Sequence, residues 1–188
     1  MASGTREALL DAAVRLLDAG GVEAVTLREV GRQAGVSHNA PYKHFASKEA
    51  LLAAVAAREL ERRAARPADS LRATLHGYVR WAQETPARFR LIFGPWTVDS
   101  PELHVAATAA QARLVDTVLA AQEAHLLPAG DPVRLASLLR SLAHGAADLA
   151  SAGHLSPTGK GHASPEDLVD DLLTYLNPRE SRSASHRM

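Results

Sequence analysis

The chain predicts an all-α protein, and three observations carry that expectation. Apolar residues recur at three- and four-residue spacing over almost all of its 188 residues. No alternation of apolar and polar residues is long enough to make a useful strand. Gly and Pro punctuate the periodic segments, as at Gly20-Gly21, Gly94-Pro95, Pro101, Pro128 and Pro132. With 46% apolar residues, the chain is long enough for a small helical domain joined to a larger one.

Taken in order, Leu9, Leu10, Ala13, Leu16 and Leu17 form one stripe, which predicts a helix from about Thr5 to Ala19 stopped by Gly20-Gly21. Thr26 is a natural N-cap, and Glu29 three residues on completes a capping box. Leu27, Val30 and Ala34 then face inward, and Gly35 makes the turn. Ser37 is expected to cap a helix over roughly His38 to Phe45, with Pro41 at its fourth position. Ser47 caps a fourth helix carrying Leu51, Leu52, Val55 and Leu60 on one face, and Pro67 stops it. Longer Ala/Leu helices follow near 69–85, 86–93, 102–126, 131–153 and 165–177. Residues His154 to Ser164 read as a mobile Gly/Ser/Pro-rich loop. This divides the chain into a helix-turn-helix domain over 1–66, a helical domain over 67–177 and a disordered tail over 178–188.

Composition narrows the classes. Cysteine is absent, so disulfides and thiolate metal sites are excluded. No N-terminal stretch combines the parts of a signal peptide, and the longest apolar run, Ala50 to Ala57, is too short to cross a bilayer. A soluble, cytoplasmic protein without membrane contact is expected. Formal net charge is zero, yet Thr26 to Lys48 holds four cations (Arg28, Arg32, Lys43, Lys48) against one anion, Glu29. Charge gathered on one face suits phosphate binding, although a plain solvated helix face carries the same pattern.

Two helices joined through Gly35-Val36 and packed on a preceding helix make a helix-turn-helix, whose second helix enters the major groove of double-stranded DNA. That helix would expose His38, Asn39, Ala40 and Lys43, while Val36 and Phe45 anchor it. Asn pairs a donor and an acceptor with adenine, Lys donates to guanine, and Ala40 suits a thymine methyl. Thr26, Tyr42, His44 and Lys48 lie at ends and flanks, where phosphate contacts set register.

Thr26-Leu27-Arg28-Glu29-Val30, Ala34-Gly35-Val36-Ser37, Tyr42-Lys43-His44-Phe45 and Ser47-Lys48-Glu49-Ala50-Leu51 resemble the N-terminal domain of TetR-type (tetracycline-repressor-like) transcriptional regulators, over roughly residues 5 to 60. The resemblance implies that Thr26, Ser37, Tyr42, His44 and Lys48 grip phosphates. It implies that His38, Asn39 and Lys43 read bases, and that Arg28 does either. Pro86-Ala87-Arg88-Phe89-Arg90-Leu91-Ile92-Phe93 and Leu142-Ala143-His144-Gly145 resemble a C-terminal domain in one branch of that family, where Arg140 replaces a frequent Trp.

The second half has a composition suited to a small-molecule pocket. Of three Tyr, three Phe and two Trp, five fall in one stretch: Tyr78, Trp81, Phe89, Phe93 and Trp96. His104, Gln111, His144 and Asp148 are candidate polar groups there, and His144 and Asp148 are four apart on one helix. Plain core packing is the alternative for each ring. Nine histidines show no metal-ligand spacing, and no cofactor is expected. Ala136, Leu139, Leu142, Ala143, Ala146 and Leu149, with Leu168, Leu172, Leu173 and Leu176, make stripes that would pair 131–153 and 165–177 with a second copy. The sequence thus points to a homodimeric, ligand-responsive repressor acting on a near-palindromic operator. Its rivals are an adaptor of the same fold that no longer binds DNA, and an enzyme using His144 and Asp148, which lacks any nucleophile or phosphate-loop motif.

Overall fold

The computed structural model describes residues 4–66 and 70–177; the expected stop at Pro67 and the expected tail over 178–188 lie outside them. Among the described residues the helices are α1 (Thr5–Ala24), α2 (Leu27–Gln33), α3 (Ala40–His44), α4 (Lys48–Ala64), α5 (Leu71–Glu84), α6 (Pro86–Phe93), α7 (Pro101–Glu123), α8 (Pro132–Ser151) and α9 (Pro165–Leu176). Two compact units emerge. One is the chain up to Ala65 together with Thr85–Ala110; the other is Arg66–Glu84 together with the chain from Gln111 onward.

In the first unit, α1 packs against α2, α3, α4 and α6. Its path breaks at Gly20 and Gly21, where Gly21 takes a φ of 69°, and one further turn reaches Ala24. The two glycines interrupt the helix without ending it. Ser47 caps α4 as expected, its hydroxyl accepting from the Ala50 amide at 3.2 Å. Every residue of α4 from Leu51 to Glu59 is buried, so its interior face is far wider than the one stripe expected.

Two of those buried residues are charged. Arg58 donates to Glu7 at 3.1 Å and to Asp11 at 2.8 Å, both on α1. Glu59 accepts from Arg88 of α6 at 3.4 Å, and Arg88 also donates through Nε to Asp18 of α1 at 2.9 Å. The Asp18 hydrogen bond is the main reason the Arg88 pKa is raised above its ordinary value. These ionic contacts tie α6 to α1 and α4. They explain why Thr85–Ala110 packs with the first unit although the linear division assigns it to the second half.

The second unit gathers α5, α8 and α9, whose core includes Leu71, Leu75, Val79, Val118, Leu127, Leu139 and Val169. Asp131 and Ser164 cap α8 and α9, and Ser164 with Asp167 forms a complete capping box. The Ser164 amide is the chief cause of the lowered Asp167 pKa. Residues His154 to Ser164 do not form an open loop. Ser156 and Gly161 make a β-bridge, and Leu155 and Ala163 bury against Ala146.

The expected dimer stripe needs correcting. Ala136, Leu139 and Ala143 are buried in this unit's own core, Ala146 lies in its satellite cluster, and Leu168, Leu172, Leu173 and Leu176 pack against the two. A helical stripe records burial but not what buries it. The apolar residues left exposed on α8 and α9 are Val133, Leu138, Leu149 and Tyr175.

The ion pairs predict two different responses to substitution. Arg88→Ala strands Glu59, whose side chain is 11% exposed, and should destabilise the protein by about 2 kcal/mol in urea unfolding. Arg58→Met leaves Glu7 and Asp11, which are 48% and 46% exposed, free to meet water, and should cost under about 1 kcal/mol.

Candidate nucleic-acid interface

The local geometry of α2 and α3 follows from a few residues. The Thr26 hydroxyl accepts from the Glu29 amide at 3.2 Å, so the cap forms as expected. Glu29 does not complete a capping box; its carboxylate accepts from Arg32 Nε at 2.9 Å. That hydrogen bond is the main cause of its lowered pKa. Three residues apart on one helical face, a guanidinium outcompetes the cap amide for the carboxylate. Gly35 then turns with a φ of 68°, which favours glycine, and the Val36 amide donates to the Gly31 carbonyl at 3.2 Å to close the helix end.

Ser37 is not the cap of α3. Its carbonyl accepts from the Ala40 amide at 2.9 Å, and α3 begins at Ala40 after Asn39, which makes no side-chain cap bond. Pro41 therefore stands in the first turn of a five-residue helix, where its lack of an amide costs least. Its ring is buried against α2: a Cβ on Gly31 would come within 2.8 Å of Pro41 Cγ. Sequence reasoning missed Gly31 as a site-shaping residue. Its signal was a glycine in mid-helix, which costs about 1 kcal/mol relative to alanine and so calls for a packing reason.

On this base the polar set faces solvent. Thr26, Arg28, Ser37, His38, Asn39, Tyr42, Lys43 and His44 are exposed, while Ala40 and Lys48 are half-buried. Tyr42 is 53% exposed, far more than a ring that packs a core needs, and His38 stands beside it with ring centroids 6.0 Å apart. Phe45, Val30 and Pro41 are buried beneath. A short helix with apolar anchors below and donors above can enter a groove as wide as an α-helix.

Comparison with known proteins agrees with that geometry. Residues 71–176 match the tetracyclin repressor-like C-terminal domain, and residues 9–55 match the bacterial regulatory proteins of the tetR family. The chain belongs to the TetR family. It is therefore a transcription regulator with a DNA-binding helix-turn-helix. The HTH-type transcriptional repressor KstR of Rhodococcus jostii is 44% identical over 57 residues, 30% of this chain and 27% of that protein, so the match spans only about a quarter of the curated relative. A solved protein of unknown function from Rhodococcus sp. RHA1 is 30% identical, with a TM-score of 0.72 over 92% of this chain and 93% of that one. AibR, solved in complex with isovaleryl coenzyme A and operator DNA, shares the fold at 17% identity, with a TM-score of 0.60 over 93% of this chain and 98% of its own.

In this TetR-family chain the residues proposed for a ligand fall into two groups, one in each unit. Phe89, Phe93, Trp96 and His104 belong to the first. Phe89 and Phe93 rings lie 5.0 Å apart, Trp96 donates to the Ile92 carbonyl at 3.3 Å, and His104 is exposed. Tyr78, Trp81, Gln111, His144 and Asp148 belong to the second. There the Tyr78 hydroxyl and His144 Nδ1 share a hydrogen bond of 2.9 Å, and the Tyr78 ring meets that of Trp81 edge-on at 5.9 Å. His144 thus pairs with Tyr78, and Asp148 is exposed. Arg140, at the position where the branch often has Trp, donates to Gln111 Oε1 at 2.6 Å. Among the described residues no three His, Asp or Glu side chains gather to hold a metal, and no helix is long and apolar enough to cross a membrane.

Burial lowers the His144 pKa, with Arg140 adding to the effect and Asp148 opposing it. A depressed histidine favours the neutral folded form, so its stabilisation is complete above the ordinary value near 6.5 and is lost as pH falls below it. His144→Gln should therefore lower the thermal midpoint at about pH 7.5 by more than it does at about pH 5.5. Equal losses at both values would contradict the assignment.

Proposed function

We propose that this TetR-family regulator is a homodimeric repressor that reads a near-palindromic operator and releases it on binding a small molecule in the cytoplasm. The observation that carries the proposal is the exposed polar set on and around α3, held above Phe45 and Pro41. Thr26, Ser37, Tyr42, His44 and Lys48 grip phosphates, which fixes register on any sequence. His38, Asn39, Ala40 and Lys43 read base edges, and Arg28 serves either role.

A second copy sets the spacing of the two reading helices at about one DNA turn, roughly 34–36 Å. In this proposal the copies meet through 131–153 and 165–177. The seam is the exposed face of α8 and α9, with Leu138, Leu149 and Tyr175, since the opposite faces are already buried. The effector engages the second unit at Tyr78, Trp81 and His144, where rings and one polar pair lie together. To take occupancy from nearly full to nearly empty it must prefer the non-binding state by about 5.5 kcal/mol. AibR, which shares the fold at 17% identity, is described in complex with isovaleryl coenzyme A and operator DNA, so this fold can take both kinds of partner. No catalytic step is part of it.

Mobility shifts with fragments from the gene's own upstream region test the proposal. Tyr42→Phe should weaken binding to all sequences alike, by about threefold to tenfold for one lost phosphate hydrogen bond. Lys43→Ala should relax preference at one base position, at a cost of about 1–3 kcal/mol for the preferred base; the reverse pattern would exchange the two roles. The paired substitution Leu138→Glu and Leu149→Glu should give a monomer in sedimentation and abolish the palindrome requirement. A dimer that survives it would move the seam elsewhere.

A further inference from the structure

Arg6, on the first turn of α1, belongs to none of the groups assigned to DNA or ligand. Its Nη2 donates to both carboxylate oxygens of Glu102, at 2.9 and 2.8 Å, on the first turn of α7. Its Cζ also lies 5.6 Å from the centroid of the Phe45 ring. Phe45 is the C-cap of α3, the reading helix. One guanidinium therefore joins the start of α7 to the end of the reading helix, entirely within the first unit.

Two features make that junction matter. A five-residue helix without a side-chain cap has almost no stability of its own, so its tilt is set by what holds its ends. Pro41 fixes one end from below, and Phe45 fixes the other. Arg6, Phe45, His44 and Glu102 also line an open groove of about 240 Å³ together with Val98 and Pro101. Arg6 can therefore swing away without opening the core.

We propose that Arg6 is a positioning residue for DNA reading and that Glu102 is the group that holds it in place. The paired hydrogen bonds from Nη2 to Glu102 hold the guanidinium over the Phe45 ring, and through that ring the C-terminal end of α3. The side chains of Arg6 and Glu102 are 39% and 43% exposed, so the pair adds little to global stability. Its effect is orientation. The proposal rests on the DNA reading given above.

The test is fluorescence anisotropy of the full chain on an operator-bearing genomic fragment at several salt concentrations. Arg6→Ala and Glu102→Gln should each weaken binding by about three- to fivefold. The slope of log affinity against log salt should stay unchanged, because no phosphate contact is lost. The double variant should bind no worse than Arg6→Ala alone, since both remove one junction. Arg6→Lys, which keeps the charge but not the planar guanidinium, should fall between wild type and Arg6→Ala. A slope reduced by about 0.9 in Arg6→Ala would make Arg6 a direct phosphate contact and overturn the proposal. Tighter binding by Glu102→Gln, or unchanged affinity in both variants, would overturn it as well. Should Arg6→Ala lower the thermal midpoint, Glu102→Gln and Arg6→Lys carry the test. A wild-type chain that bound no fragment would instead remove the DNA reading on which the proposal stands.

Discussion

The first unit depends on Arg88, which reaches from α6 to Asp18 on α1 and to Glu59 on α4. A carboxylate as buried as Glu59 needs a cation beside it, because an unpaired buried charge costs several kcal/mol. The cation comes from a helix more than twenty residues further along the chain. That requirement helps hold α6 onto α1 and α4. The unit that carries α3 is therefore larger than a helix-turn-helix, and it is braced at both ends of α1: by Arg6 and Glu102 near the start, by Asp18 and Arg88 near the end.

On that braced base, the polar face around α3 is held by few contacts. α3 has only five residues, and its rigidity comes from packing: Pro41 on Gly31 below, Phe45 at the C-terminal end, Gly35 closing the helix before it. Such a helix presents its polar side chains at fixed positions without long-range support from its own hydrogen bonds. The family membership is consistent with this economy, since the matched regions cover both the reading unit and most of the second half. Both units have apolar cores, with Leu9, Leu10, Leu17 and Leu51 buried in the first, and both add ionic contacts, such as His76 with Asp170 in the second. The second unit is held by Leu71, Leu75, Val79, Leu139 and Val169, with capping at Asp131 and Ser164.

Much of the helix order was legible in the sequence because it is local. Pro86 opens α6 and Phe93 ends it, as expected, and Thr26 and Ser47 cap α2 and α4 as their spacing implies. The exposure of Asn39, Tyr42 and Lys43 also followed from their positions between apolar anchors. What was not legible turned on competition between local partners and on partners distant in sequence. The carboxylate of Glu29 chose Arg32 over its own cap, and α3 starts at Ala40 because Pro41 favours a first-turn position. Ala136, Leu139 and Ala143 show the same limit: periodicity marked them as buried, but only the fold shows that α5 and α9 cover them. Arg6 gave no signal at all, since one arginine in an opening turn looks like any solvated residue.

The central claim is that two copies of the Thr26 to Lys48 face read one operator together. Hydroxyl-radical footprinting of a bound genomic fragment tests it most directly, because it maps contact with the sugar-phosphate backbone at single-nucleotide resolution. Two protected patches on one face of the duplex, centred about 34–36 Å apart, are predicted. A single patch, or protection spread evenly along the fragment, would contradict the paired reader.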